Sequence, residues 1–255
     1  MQKGTQAVVR AIHLLKTVVQ SPEPLSLDDL SKTLKLSKST AHRILSALVS
    51  EGMIEQNSKT RLFLAGQESL VLSANAIRHH DLRSLVLPVL EKLSLEYGET
   101  ATLEISIGTE MFILAEILTS RLIGAHAEIG TRWPMYATSS GKVTLSTMTE
   151  ENLSAFLLHP RTAFTKKTIV SKKGLLKNLA EIRRDKFAIV EGELQAAFSA
   201  VSAAIQNEKG QAIATLSVGG PSERLNRTTL GKLGRVLVAE VSKLQSSASL
   251  ISRRY

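Results

Sequence analysis

The chain has 255 residues, long for one compact domain and comfortable for two. Its 32 Lys+Arg against 23 Asp+Glu leave a formal charge of +9, which favours an anionic partner, with nucleic acid the first candidate. No apolar run approaches the ~18 residues of a membrane span, the absence of cysteine excludes disulfides and thiolate chemistry, and 4% aromatics argues against stacking platforms for single strands.

In chain order, Val9, Ile12, Leu15 and Val19 fall at helical spacing, so residues 6–19 are expected as a first helix. Lys3, Arg10, His13 and Lys16 interrupt it, so no secretory core is expected, and the lack of cysteine fits a cytoplasmic protein. Pro22 and Pro24 then break the pattern. Ser26 reads as the N-cap of a second helix over 27–34, with Asp28 and Asp29 in its first turn. A third helix, 38–51, follows after only Lys35-Leu36-Ser37 and is closed by Gly52. Residues 53–56 and 61–64 read as two short strands around the polar turn 57–60. Residues 67–80 are expected as a connecting helix. Beyond Asp81 the pattern predicts a helix (82–97), strands at 101–107, 111–118 and 122–127, then helices from 141 and over 150–158. A helix at 173–185, strands at 187–190, 201–205 and 212–218, and a final helix over 225–246 complete it. This mixture predicts an α+β fold whose antiparallel sheet is flanked by helices.

The third helix carries the chemistry. Ala41, Ile44, Leu45 and Leu48 form an apolar stripe, while Lys38, Ser39, Thr40, His42, Arg43 and Ser46 occupy the opposite face. A helix entering the major groove N-terminus first needs this division: small hydroxyls permit close approach and basic heads reach phosphate or guanine. Ser37 would cap its first amides. Lys59 and Arg61 at the hairpin tip could follow the adjacent backbone as a wing. Residues 1–66 hold nine Lys/Arg against five Asp/Glu, so this end carries a disproportionate share of the excess charge. A merely solvated amphipathic helix would have the same polar face. The full string of helix, tight turn, helix, glycine and basic hairpin favours DNA.

The segments Leu25-Ser26-Leu27-Asp28-Asp29-Leu30, Ser37-Lys38-Ser39-Thr40-Ala41-His42-Arg43-Ile44-Leu45 and Phe63-Leu64-Ala65-Gly66 resemble the IclR family of transcriptional regulators. So do Asp81-Leu82-Arg83, Met135-Tyr136-Ala137-Thr138-Ser139-Ser140-Gly141-Lys142 and Leu216-Ser217-Val218-Gly219-Gly220-Pro221. The resemblance implies a winged helix-turn-helix domain (1–66), a linker helix (67–80) and a GAF-like effector-binding domain (81–255). It also implies homodimers or homotetramers on a palindromic double-stranded operator, with repression as the expected outcome. Carried over position by position, it places a small-molecule effector against Leu122, Ala125, Ser139, Ser140, Val190, Ala200, Ser217 and Gly219.

Several positions depart from the family pattern. Ala197, Ala200 and Ala204 stand where many members have Gly, Cys and Pro, Gly219 where a second serine is common, and Gly192 where an acid is common. Ala200 and Gly219 predict a roomier, less polar wall, with the polar anchor kept at Ser139, Ser140 and Ser217. The expected effector is an anionic or carbonyl-bearing ligand larger than the smallest keto acids, such as an organic acid of a catabolic pathway. The alternative is a degenerate pocket in a constitutive regulator. A protein-interaction module is disfavoured by the basic helix face.

An enzyme of the small-molecule-binding domain is a further alternative, but its signatures fail one by one. His126-Ala127-Glu128 lacks the cysteine pair of a zinc deaminase, Gly141-Lys142 lacks a phosphate-loop spacing, and no nucleophile elbow surrounds a serine. His79-His80-Asp81 reads as solvated rather than metal-binding. Catalytic residues, metal and cofactor are therefore all expected to be absent.

Overall fold

The structure, a computed structural model, describes residues 3–78, 81–118 and 129–247. The chain divides into two compact units, Met1–His79 and His80–Tyr255. The strand expected at 122–127 lies outside the described residues, as do His79, His80 and His126-Ala127-Glu128.

The N-terminal unit contains α1 (Lys3–Val19), α2 (Leu27–Thr33), α3 (Lys38–Ser50), β1 (Ile54–Gln56), β2 (Phe63–Ala65) and α4 (Gln67–Arg78). Ser26 starts α2 through a capping box: its hydroxyl accepts from Asp29 N while the Asp29 carboxylate accepts from the Ser26 amide. β1 and β2 pair antiparallel, with Ile54 opposite Ala65 and Gln56 opposite Phe63. Leu14, Val18, Leu30, Leu45, Ile54 and Phe63 form the core, each fully buried apolar side chain contributing roughly 1.5–3 kcal/mol. The buried stripe of α1 is thus Leu14 and Val18, not Ile12 and Val19, which are exposed. Apolar residues crowd both sides of this helix, so periodicity alone could not choose the inward face.

The C-terminal unit contains α5 (Asp81–Tyr97), β3 (Thr100–Ile107), β4 (Glu110–Ile117), β5 (Arg132–Pro134) and a 3-10 turn (Met135–Ala137). α6 (Ser139–Thr147), α7 (Glu150–Leu157), α8 (Lys172–Asp185), β6 (Phe187–Glu191), β7 (Phe198–Gln206), β8 (Ala212–Pro221) and α9 (Arg227–Ser247) follow. Among the described residues the strands form one antiparallel sheet in the order β5-β4-β3-β8-β7-β6. The short β5 is not among the elements expected from the sequence, and β7 and β8 extend beyond their predicted ends to Phe198 and Pro221. α6 begins at Ser139 rather than Gly141, because Thr138 is the N-cap and accepts from Gly141 N.

Helices cover both faces of the sheet, so β8 is buried without interruption from Ala214 to Gly220. β6 shows which helix lies where. Ala188 joins the cluster containing Val143 and Leu145 of α6, whereas a Cβ on Gly234 of α9 would meet the ring of neighbouring Phe187. α6 therefore covers one face and α9 the other.

Candidate nucleic-acid interface and ligand cavity

In α3, Ala41 and Leu45 are fully buried, and Ile44 and Leu48 pack against the same core. The stripe predicted from sequence is the packed one. Ser37 caps the helix, its hydroxyl accepting from Thr40 N at 3.2 Å. Lys38, Ser39, His42, Arg43 and Ser46 are exposed and Thr40 is half-buried, so the structure brings all six expected positions onto the solvent side of one short helix. Lys38 bridges the Asp28 carboxylate at 2.7 Å. Both partners are exposed, so this pair is worth at most ~1 kcal/mol and is readily exchanged for a phosphate. The hairpin turn is tied by Asn57, whose Oδ1 accepts from the amides of Lys59 and Thr60. Arg61 adopts φ 62°, and Gln56 Nε2 donates to its carbonyl. The Lys59 and Arg61 side chains are exposed beyond the tie.

The C-terminal unit holds a cavity of about 110 Å³ between α6 and the strand face beneath it. Strand register explains its lining. On adjacent strands Thr100 pairs with Gly219, Gly219 with Ala200, and Ala200 with Val190, forming one row across the floor. Thr102, Ser217 and Ser202 form the next row. Six expected effector positions (Ser139, Ser140, Val190, Ala200, Ser217, Gly219) line this one cavity. Leu122 and Ala125 lie outside the described residues.

Two findings correct the expected pocket. First, the wall at Gly219 is not roomier. A Cβ there would lie 2.6 Å from Cζ of Phe198, so the Phe198 ring already occupies the space that a side chain at 219 would fill. Second, a carboxyl that the sequence does not single out lies in the lining. Glu104 is 6% exposed, and no Lys or Arg is among the described lining residues. Its Oε1 accepts from Ser217 Oγ (2.8 Å) and Thr102 Oγ1 (2.9 Å), and its Oε2 from Ser140 Oγ (2.6 Å). A break in β3–β4 register falls between Leu103 and Glu104, a bulge of the kind that re-aims a side chain. Burial pushes the Glu104 carboxyl above its ordinary range, and the three hydroxyl bonds oppose that rise.

Deeper in α6 stands a second charge that the sequence does not mark as a site. Lys142 is fully buried, and its Nζ donates to the Glu193 carboxylate. Burial pulls the ammonium below its ordinary value, and Glu193 opposes this.

Comparison with known proteins places these observations in a family. A family model described as the IclR helix-turn-helix domain matches residues 7–58, and one described as the bacterial transcriptional regulator IclR C-terminal domain matches residues 74–247. The HTH-type transcriptional repressor AllR of Escherichia coli (strain K12) is 29% identical over 245 residues, covering 94% of this chain and 90% of the repressor. The crystal structure of an IclR transcriptional regulator from Alicyclobacillus acidocaldarius superposes with a TM-score of 0.84 at 20% identity, covering 94% of this chain and 98% of that one. An IclR homolog from Microbacterium hydrocarbonoxydans, crystallised with 4-hydroxybenzoate, gives a TM-score of 0.79 at 22% identity, covering 94% and 99%.

Proposed function

The chain belongs to the IclR family of transcriptional regulators, and from that premise we propose that α3 is the helix through which it reads an operator. It is a DNA-binding transcriptional regulator rather than an enzyme. The observation that carries the proposal is the division of α3: its apolar half is locked into the core, and its capped N-terminal half exposes Lys38, Ser39, His42 and Arg43 together. Thr40 and Ser46 support that surface, and Lys59 and Arg61 lie along the neighbouring phosphates as a wing. Residues 1–66 act as the DNA-binding domain, 67–80 as the linker helix and 81–255 as the GAF-like effector domain. In the resulting picture a cytoplasmic repressor, like the AllR relatives by name, responds to a small molecule held against Ser139, Ser140, Val190, Ala200, Ser217 and Gly219, with Leu122 and Ala125 contributing. An effector that prefers one conformation shifts the protein toward it and thereby changes operator affinity.

Replacing Lys38 and Arg43 together by alanine should weaken operator affinity by roughly 1–3 kcal/mol for each of the two side chains that reads a base edge, and flatten the salt dependence by about one unit of slope for each that sits on a phosphate. Fluorescence anisotropy on a duplex selected from a random library, titrated at several salt concentrations, measures both quantities. Unchanged affinity with intact circular dichroism would remove α3 from the interface.

We further propose a symmetric dimer, or a dimer of dimers, on a palindromic operator. One winged helix covers little DNA, and tight specific binding draws on two half-sites. Leu70, Val71 and Leu72 of α4, with Val8, Ile12 and Val19 of α1, are exposed apolar residues suited to self-association. Light scattering at micromolar concentration should give at least twice the chain mass. Monomer alone would contradict the reading.

A further inference from the structure

The hydroxyl groups around the cavity have a direction. Ser202 Oγ donates to Ser217 Oγ (2.7 Å), and Ser217 Oγ donates to Glu104 Oε1. A hydroxyl has one hydrogen, so in the 2.7 Å contact between Ser139 and Ser202 the donor is Ser139. Ser140 and Thr102 also donate to Glu104. Five hydroxyl hydrogens thus run toward a single carboxylate, three directly and two in relay. What these five hydroxyls leave to the cavity is lone pairs. A carboxylate offers about four acceptor positions; three are filled by the hydroxyls, and the fourth is on Oε2.

A carboxylate-binding pocket needs the reverse polarity, hydrogens turned outward and a cation or free amides behind them. Here the start of α6, where helix amides favour an anion, already has one through Ser140, and the chain itself supplies it. A ligand carboxylate entering this cavity would face Glu104 in a low-dielectric site, with no cation among the described lining residues to separate them.

Building on the reading of the cavity as the effector site, we propose that the effector is a compact, uncharged or cationic molecule offering N–H groups, and that Glu104 selects it against carboxylates. This differs from the organic acid expected from the sequence. The ring of Phe198 and the side chains of Val190 and Ala200 cover the apolar part of such a ligand. The cavity is smaller than the 150 Å³ engineered cavity that accepts benzene, so the part held inside is a few heavy atoms.

The test compares isobutyramide with isobutyrate, a pair equal in shape that differs in N–H donors and charge, by NMR titration of the full-length protein. The amide should bind at least tenfold more tightly than the acid. Glu104→Gln, which keeps the shape of the side chain and removes its charge, should bring the two within about threefold of each other. Tighter binding of isobutyrate to the unaltered protein would overturn the selection rule without needing any variant. So would a preference unchanged in a folded Glu104→Gln protein. Absence of binding by both probes at about 50 mM, with acetamidinium equally silent, would instead remove the effector site from this cavity, and the proposal with it.

Discussion

Lys142→Met should destabilise the C-terminal unit by about 3–5 kcal/mol, the range for removing one member of a buried ion pair. The substitution nearly conserves volume, so the loss comes from Glu193, left 7% exposed without its cation. Glu193 is also a structural hub. Its Oε2 accepts from Ile169 N, and its main-chain carbonyl from the Thr168 hydroxyl at 2.6 Å, so a displaced Glu193 frees the loop before α8 as well. Glu193→Gln should be comparably costly, because it strands an ammonium that burial already pushes toward its neutral form. Replacing both, Lys142→Met with Glu193→Leu, should recover much of the single-variant loss, since apolar pairs of similar volume often match buried ion pairs, and should stop about 1–3 kcal/mol short because the Ile169 amide loses its acceptor. Urea unfolding followed by fluorescence isolates the effect, because the only tryptophan is Trp133 in β5. A single-variant loss below about 1 kcal/mol would mean that the pair is more hydrated than its burial implies.

Gly66→Ala should damage the N-terminal unit while sparing the other. A Cβ at this position would lie 2.1 Å from the Gly52 carbonyl oxygen and 2.8 Å from Ile54 N. These are backbone atoms at the end of α3 and the start of β1, so no side-chain rotation relieves the overlap. The same junction is held by Gly66 N donating to Met53 O, Glu68 N to Gly52 O, and Ser69 Oγ to Met53 O. Opening it costs on the order of 3 kcal/mol, a large part of the roughly 4–12 kcal/mol available to a unit of this size. Operator affinity should fall with it, and the Trp133 transition should not move. Unaltered DNA binding and thermal stability would show that the hairpin can shift freely against α3.

The DNA-binding half was legible because local signals agreed with packing. The caps Ser26 and Ser37 and the closing Gly52, which adopts φ +66°, each have a local cause visible within four residues. The cavity was legible only through resemblance, since its rows join residues as distant as Thr100 and Gly219. Glu104 was missed for a physical reason. Thr100, Thr102 and Glu104 alternate with Ala101 and Leu103, the pattern of a strand with one wet face. Both faces are covered here, and the polar row looks into an interior cavity instead of solvent. The Phe198 ring over Gly219 was equally hidden, because a missing side chain reads as empty space until its neighbours are placed.

The seam between β3 and β8 also sets an order of assembly. The hairpin of β3 and β4 and that of β7 and β8 can form from nearby residues, but the sheet stays in two halves until β8 reaches β3. Synthesis at ~5–20 residues per second from the N-terminus therefore completes the locally connected DNA-binding head before its sensor can close. A chain that has emerged past Ile117 but not yet reached Ala212 would carry a finished head joined to a half-sheet with β3 as a bare edge, the kind of surface that invites pairing with other chains.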